Sequence, residues 1–159
     1  MTDEVAQLAY GEARAALREQ DATLANLRNR ATALLAAAAV GTSCAAAVGL
    51  LNTDPDRGHV FPAAAGWALL LLVVLVGAGV MVVWWPAPNW TFGPSPDKLL
   101  GSSGTDLGSV LRAATRAMIA AVESNDRLLG RRMSAYRASV IMLMAQVALL
   151  VLIMILARA

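Results

Sequence analysis

His59, the only histidine, stands beside Asp54 and Asp56, and the run Asp54-x-Asp56-x-Gly58 is where a metal loop would have to be sought. A helix–loop–helix calcium loop spaces oxygen ligands at alternate positions, turns on a glycine at its sixth position and closes with a bidentate glutamate. Here the glycine comes one place early and the glutamate is missing, so the run reads as a solvated turn. No metal or other cofactor is expected. Cys44 is the sole cysteine, which excludes an intramolecular disulfide and a thiolate zinc site. It lies among small apolar residues and reads as a small buried hydrophobe. With one histidine, one cysteine and no carboxylate in the long apolar runs, neither a nucleophile–base pair nor a proton relay can be assembled. P-loop, dinucleotide and His-Glu-x-x-His patterns are absent too, so the reading is of a protein that is not an enzyme.

Polar or small residues inside the apolar runs are more informative. Gln146 is an amide in the middle of one such run, where an unpaired amide is costly and seeks a partner across a helix interface. Its functional alternative is to line the pore of an oligomer. Ala37, Gly41, Ala45 and Gly49 form a small-residue stripe at four-residue spacing, which permits close helix packing; alanine-rich composition alone also produces such stripes.

The elements that must position these residues follow from composition. Of 159 residues, 58% are hydrophobic and 15% charged, and mean hydropathy is +0.58. An ordinary soluble domain is about 45–50% apolar, so this balance excludes both a disordered chain and a typical water-soluble one. Three stretches free of Asp, Glu, Lys and Arg, at 31–51, 62–85 and 138–157, are each long enough for the roughly 20 residues that cross a bilayer. A buried helix of a soluble bundle is the competing reading. Acidic residues precede the first stretch at Asp3, Glu4, Glu12, Glu19 and Asp21, which argues against a secretory signal.

Arginine placement gives an orientation. Arg14, Arg18, Arg28 and Arg30 precede the first span, and Lys98, Arg112, Arg116, Arg127, Arg131, Arg132 and Arg137 lie between the second and third. The loop at 52–61 has only Arg57, and the tail only Arg158. By the positive-inside rule the N-terminus and the middle segment are cytoplasmic and the C-terminus is extracytoplasmic, as three crossings require. Trp84, Trp85 and Trp90 then fall at the cytoplasmic interface.

The expected fold is an all-α integral membrane protein: a cytoplasmic amphipathic helix at 1–30, a transmembrane hairpin at 31–85, a Pro/Gly-rich loop at 86–105, a cytoplasmic helix at 106–137 and a third span at 138–157. Tyr10, Ala13, Leu17, Gln20, Leu24, Leu27, Ala31 and Leu34 form a heptad seam in the first helix. Leu107, Leu111, Ala114, Met118, Ala121, Asn125 and Leu128 form one in the second, with Ser103 or Thr105 as its cap and Gly130 as the place for a kink. Two striped helices suit pairing into a cytoplasmic helical hairpin, within one chain or between chains; lying separately on lipid headgroups is the alternative.

The run Leu27-Arg28-Asn29-Arg30-Ala31-Thr32-Ala33-Leu34-Leu35, followed by a two-span hairpin and a long helix with Asn125 and Tyr136-Arg137 entering a last span, completes a recognisable layout. It resembles the small transmembrane effectors of bacterial cyclic-nucleotide antiphage systems, the pyrimidine cyclase (Pycsar) effectors and related two-span modules. The arrangement covers nearly the whole chain; Arg30-Ala31-x-x-Leu34-Leu35 and Tyr136-Arg137 carry it at residue level. The resemblance implies an inner-membrane, oligomeric antiviral effector that binds a cyclic nucleotide and impairs membrane integrity. Arg112 and Arg116, one turn apart, would then contact phosphate, with Trp90 or Phe92 stacking on the base. The bland alternative is that these arginines only set topology and touch anionic lipid. The lipid bilayer is the expected partner, with a second copy of the chain and no nucleic acid. A scaffold or accessory subunit that docks a partner through the cytoplasmic helices is the second functional class.

Overall fold

The computed structural model describes residues 3–51, 53–54, 58–59, 63–88, 90–95, 97, 101 and 106–156. Ser103 and Thr105, the expected caps, and Asp56 of the turn lie outside the described residues. The chain is all-helical apart from a two-residue antiparallel pairing: α1 (Asp3–Leu51), β1 (Thr53–Asp54), β2 (Gly58–His59), α2 (Ala63–Trp84) and α3 (Leu107–Leu156). Thr53 pairs with His59 and Asp54 with Gly58, which closes the turn between the first two helices. All three helices are long and apolar enough to cross a membrane, as in a multi-pass membrane protein.

The helices are long because nothing in them forbids it. α1 and α3 contain no proline and are rich in alanine, leucine and arginine, the better helix formers. The hydroxyls of Thr32, Thr42, Ser43 and Thr115 donate to carbonyls one turn back, so no hydroxyl group is stranded on these helices at those points. Asp106 caps α3: its Oδ2 accepts the Ser109 amide at 3.1 Å, and its carbonyl accepts the Ser109 hydroxyl at 2.6 Å. Helix is continuous through Gly130.

Two compact units divide the chain, one made of Met1–Asn26 and Pro86–Arg131, the other of Leu27–Trp85 and Arg132–Ala159. In the first unit Ala13, Leu17, Met118 and Ala121 form a buried cluster flanked by Tyr10 and Val122, so the two expected seams meet there, whereas Leu107, the first expected member on α3, is exposed in the opening turn of its helix. In the second unit the buried side chains are small, branched or polar: Ala31, Ala38, Val76, Val83, Ser139 and Gln146. Leu27 and Ile153 are buried as well, while many of its large apolar side chains, among them Trp67, Leu71, Val74, Met81, Ile141 and Ile155, are exposed.

Candidate functional site

In the first unit the proline-rich stretch after α2 is irregular, and it is also fastened. The Trp90 indole donates to Asp21 Oδ1 at 2.8 Å. Asn125, fully buried, accepts the Thr91 amide at 3.2 Å and donates to the Thr91 carbonyl at 3.0 Å, so one side chain substitutes for a strand partner. Gly93 has φ 107°, a conformation that L side chains rarely adopt. A Cβ there would already touch Leu17 Cδ1 at 3.4 Å and Met118 Cγ at 3.6 Å, so glycine lets the segment lie directly on the helix cluster. Between this strap and α3 runs a groove of about 480 Å³ lined by Thr91, Gly93, Pro94, Ser95, Ala117, Ala120, Ala121 and Ser124. Its walls are small and uncharged.

None of the expected ligand residues lines that groove. Trp90 is held by Asp21. Phe92 projects from the strap with 78% of its surface exposed. Arg112 folds back on its own first turn, donating from Nε to the Gly108 carbonyl at 2.8 Å and standing 4.0 Å from Asp106 Oδ2. Arg116 is exposed on the same helix. Among the described residues, no group of three His, Cys, Asp or Glu side chains is placed to hold a metal ion.

The chain has no match among family models, curated proteins or solved structures.

The second unit holds a line of polar residues that sequence reading found only in part. Counting by sevens along α3 gives Met118, Asn125, Arg132, Ser139, Gln146 and Ile153, and every one is buried. The heptad seam therefore continues to the end of the helix after its residues have ceased to be apolar. Arg132 donates from Nη2 to the Trp85 carbonyl at 2.5 Å, just past the last turn of α2, where carbonyls lack helical donors. The Ser139 hydroxyl lies 3.0 Å from the Ala135 carbonyl and 3.5 Å from that of Val76 on α2. Gln146 donates from Nε2 to Thr42 Oγ1 at 3.1 Å, while the Thr42 hydroxyl donates to the Ala38 carbonyl. Gln146 Oε1 is buried with no partner.

One member of the small-residue stripe lies against α3. Gly41 faces Gln146, and a Cβ there would lie 3.6 Å from its Nε2. Ala45 is half-buried and Ala37 exposed, and the side chain at Gly49 lies outside the described residues. The buried neighbour of Ala37 is Ala38, which continues the seven-residue line of Leu17, Leu24 and Ala31. Cys44, expected to be buried, is exposed: it falls on the face of α1 away from that line. The tightest contact involves a residue that no sequence pattern singled out. A Cβ at Gly79 would overlap Ser139 Oγ and lie 3.2 Å from the Ala135 carbonyl oxygen.

Proposed function

We propose that the chain is a membrane effector of a bacterial antiviral signalling system, in which a cyclic nucleotide engages the first unit and the second unit then impairs membrane integrity. The observation that supports this reading is that both units are built on the same two helices, α1 and α3, each unbroken from one unit into the other. Ligand binding can shift a resting assembly only by as much as it prefers the active one. Helices that run unbroken from one unit into the other are suited to passing such a preference on. The arginine distribution favours a cytoplasmic first unit and an outer C-terminus, and membrane damage calls for several copies acting together. In this reading Arg112 and Arg116 contact phosphate and the exposed Phe92 ring stacks on the base.

Expression with and without candidate cyclic nucleotides, while membrane potential is followed, tests the proposal. Depolarisation that needs the nucleotide and is weakened by Arg112→Ala with Arg116→Ala is the expected result. A parent chain that responds to no cyclic nucleotide sinks it. The groove favours a second reading, because walls of alanine, serine, glycine and proline without a cation suit an apolar segment of another protein better than a phosphodiester. In that case the chain is a non-enzymatic scaffold or accessory subunit, and Ala120→Trp should abolish partner capture without altering insertion.

A further inference from the structure

The second unit contains an unbalanced pair of charges. Arg132 is only 5% exposed; its Nη2 has an acceptor, but its Nη1 is buried without one. Nε of Arg28, on α1, is buried without an acceptor as well. The bond from Gln146 to Thr42 sets α1 and α3 side by side at an offset of 104 residues, which brings Arg28 level with Arg132; burial first, and then the charge of Arg28, push the Arg132 pKa below its usual value. A buried cation ordinarily has a carboxylate beside it. None is available in this unit, whose only acidic residues, Asp54 and Asp56, belong to the loop between the first two spans. In the first unit, Asp21 and Asp126 already accept hydrogen bonds from Trp90 and Gln20.

Capping α2 explains one donor of Arg132 and nothing of Arg28. Two like charges held together, each with an unused buried N–H, call for an anion with several acceptor oxygens. Phosphate meets that need, and guanidinium forks match it geometrically. Arg28 is partly exposed, which leaves an approach from its side. Both residues stand just outside the spans, where lipid headgroups lie. We propose that Arg28 and Arg132 form a binding site for a phosphate-bearing anion at the membrane boundary of the second unit. The site depends on the chain being a membrane protein and is independent of any cyclic-nucleotide effector role.

The test uses the full-length protein in a neutral detergent, with thermal unfolding read by tryptophan fluorescence during separate titrations with phosphatidylglycerol, phosphatidylcholine and inorganic phosphate. Phosphatidylglycerol should raise the midpoint more than phosphatidylcholine does. In Arg28→Gln, which leaves the Arg132 bond to Trp85 in place, half-saturation should weaken about tenfold, the loss of roughly one charge-assisted hydrogen bond. Arg132→Lys, which keeps the charge and loses the fork, should weaken it in the same direction, and Arg14→Gln in the first unit should titrate as the parent. A response to the anionic lipid without one to inorganic phosphate assigns the site to a headgroup; a response to both assigns it to phosphate from either side of the interface, and one to inorganic phosphate alone to a soluble phosphate. No response to either, or an Arg28→Gln curve that superimposes on the parent's, overturns the proposal.

Discussion

The two units use the same pair of helices and the same seven-residue repeat, and they fill it with different balances of large apolar and small or polar side chains. In the first, the seam buries Leu17, Leu24 and Met118 and leaves charged residues such as Glu12, Arg14 and Glu123 outside. In the second, the seam buries Ala31, Ala38, Ser139 and Gln146 and leaves Val74, Ile141 and Ile155 outside. A helix pair in water is driven together by removing large apolar side chains from solvent. Lipid offers no such drive, so close packing through small residues and interhelical hydrogen bonds must hold the contact. The repeat thus sets which positions meet, and the surrounding medium sets which side chains occupy them.

The largest expected effects test that division through charge. Leu17→Asp puts a carboxylate into the buried cluster of the first unit and should cost on the order of 3–5 kcal/mol in chemical denaturation. On exposed positions the two units should part company. Leu8→Asp in the first should be nearly neutral, whereas Val74→Asp in the second should cost about 2.5–3.5 kcal/mol in a membrane-insertion assay, because exposure there means exposure to lipid. Equal effects at Leu8 and Val74 would break the comparison.

Next in size is a change with no charge. Gly79→Ala forces α2 away from Ser139 and Ala135 and should lower stability in detergent by about 1–3 kcal/mol, while Gly77→Ala, with open space around it, should not. Asn125→Ala should cost a similar 1–3 kcal/mol or somewhat less, since it strands both backbone groups of Thr91, and its signature is local: faster amide exchange at Thr91 and easier proteolysis of the strap.

Gly79 also marks where sequence reading stops. The α1 seam was legible from Tyr10 to Leu34, and the α3 seam as far as Leu128, because apolar side chains recur there at spacings of three and four. Beyond that point the same positions carry Arg132, Ser139 and Gln146, and a search for apolar periodicity cannot follow a line that has turned polar. Gln146 was conspicuous because it interrupts a long apolar run, but Ser139 was not, and Arg132 read as one topology marker among several. Trp90 suggested base stacking or an interfacial belt; its bond to Asp21 joins residues 69 positions apart and leaves no periodic trace. Gly79 is one glycine among several in its span, and only the neighbouring helix distinguishes it.

The smallest expected effect is the sharpest test, because one chemical change should carry opposite signs in the two units. Gln20 sits in the α1 seam, donating to the Val122 carbonyl at 3.0 Å and to Asp126 Oδ1 at 2.6 Å, with its own Oε1 buried and unpaired. Gln20→Leu removes that stranded acceptor and adds apolar burial, while Asp126, exposed, is left to water. The first unit should gain about 1 kcal/mol and lose some specificity of register, as happens when a polar residue leaves a heptad core. Gln146 has the same side chain, the same unpaired Oε1 and a single bond to Thr42. Gln146→Leu also removes the stranded acceptor, but in lipid a leucine gains nothing by burial, so the lost interhelical bond should dominate by about 0.6 kcal/mol. Unfolding of both variants in the same detergent, followed by a probe in each unit, checks the pair. If both substitutions stabilise, the second unit packs by the rules of a soluble core, and its exposed valines and isoleucines need another explanation than lipid.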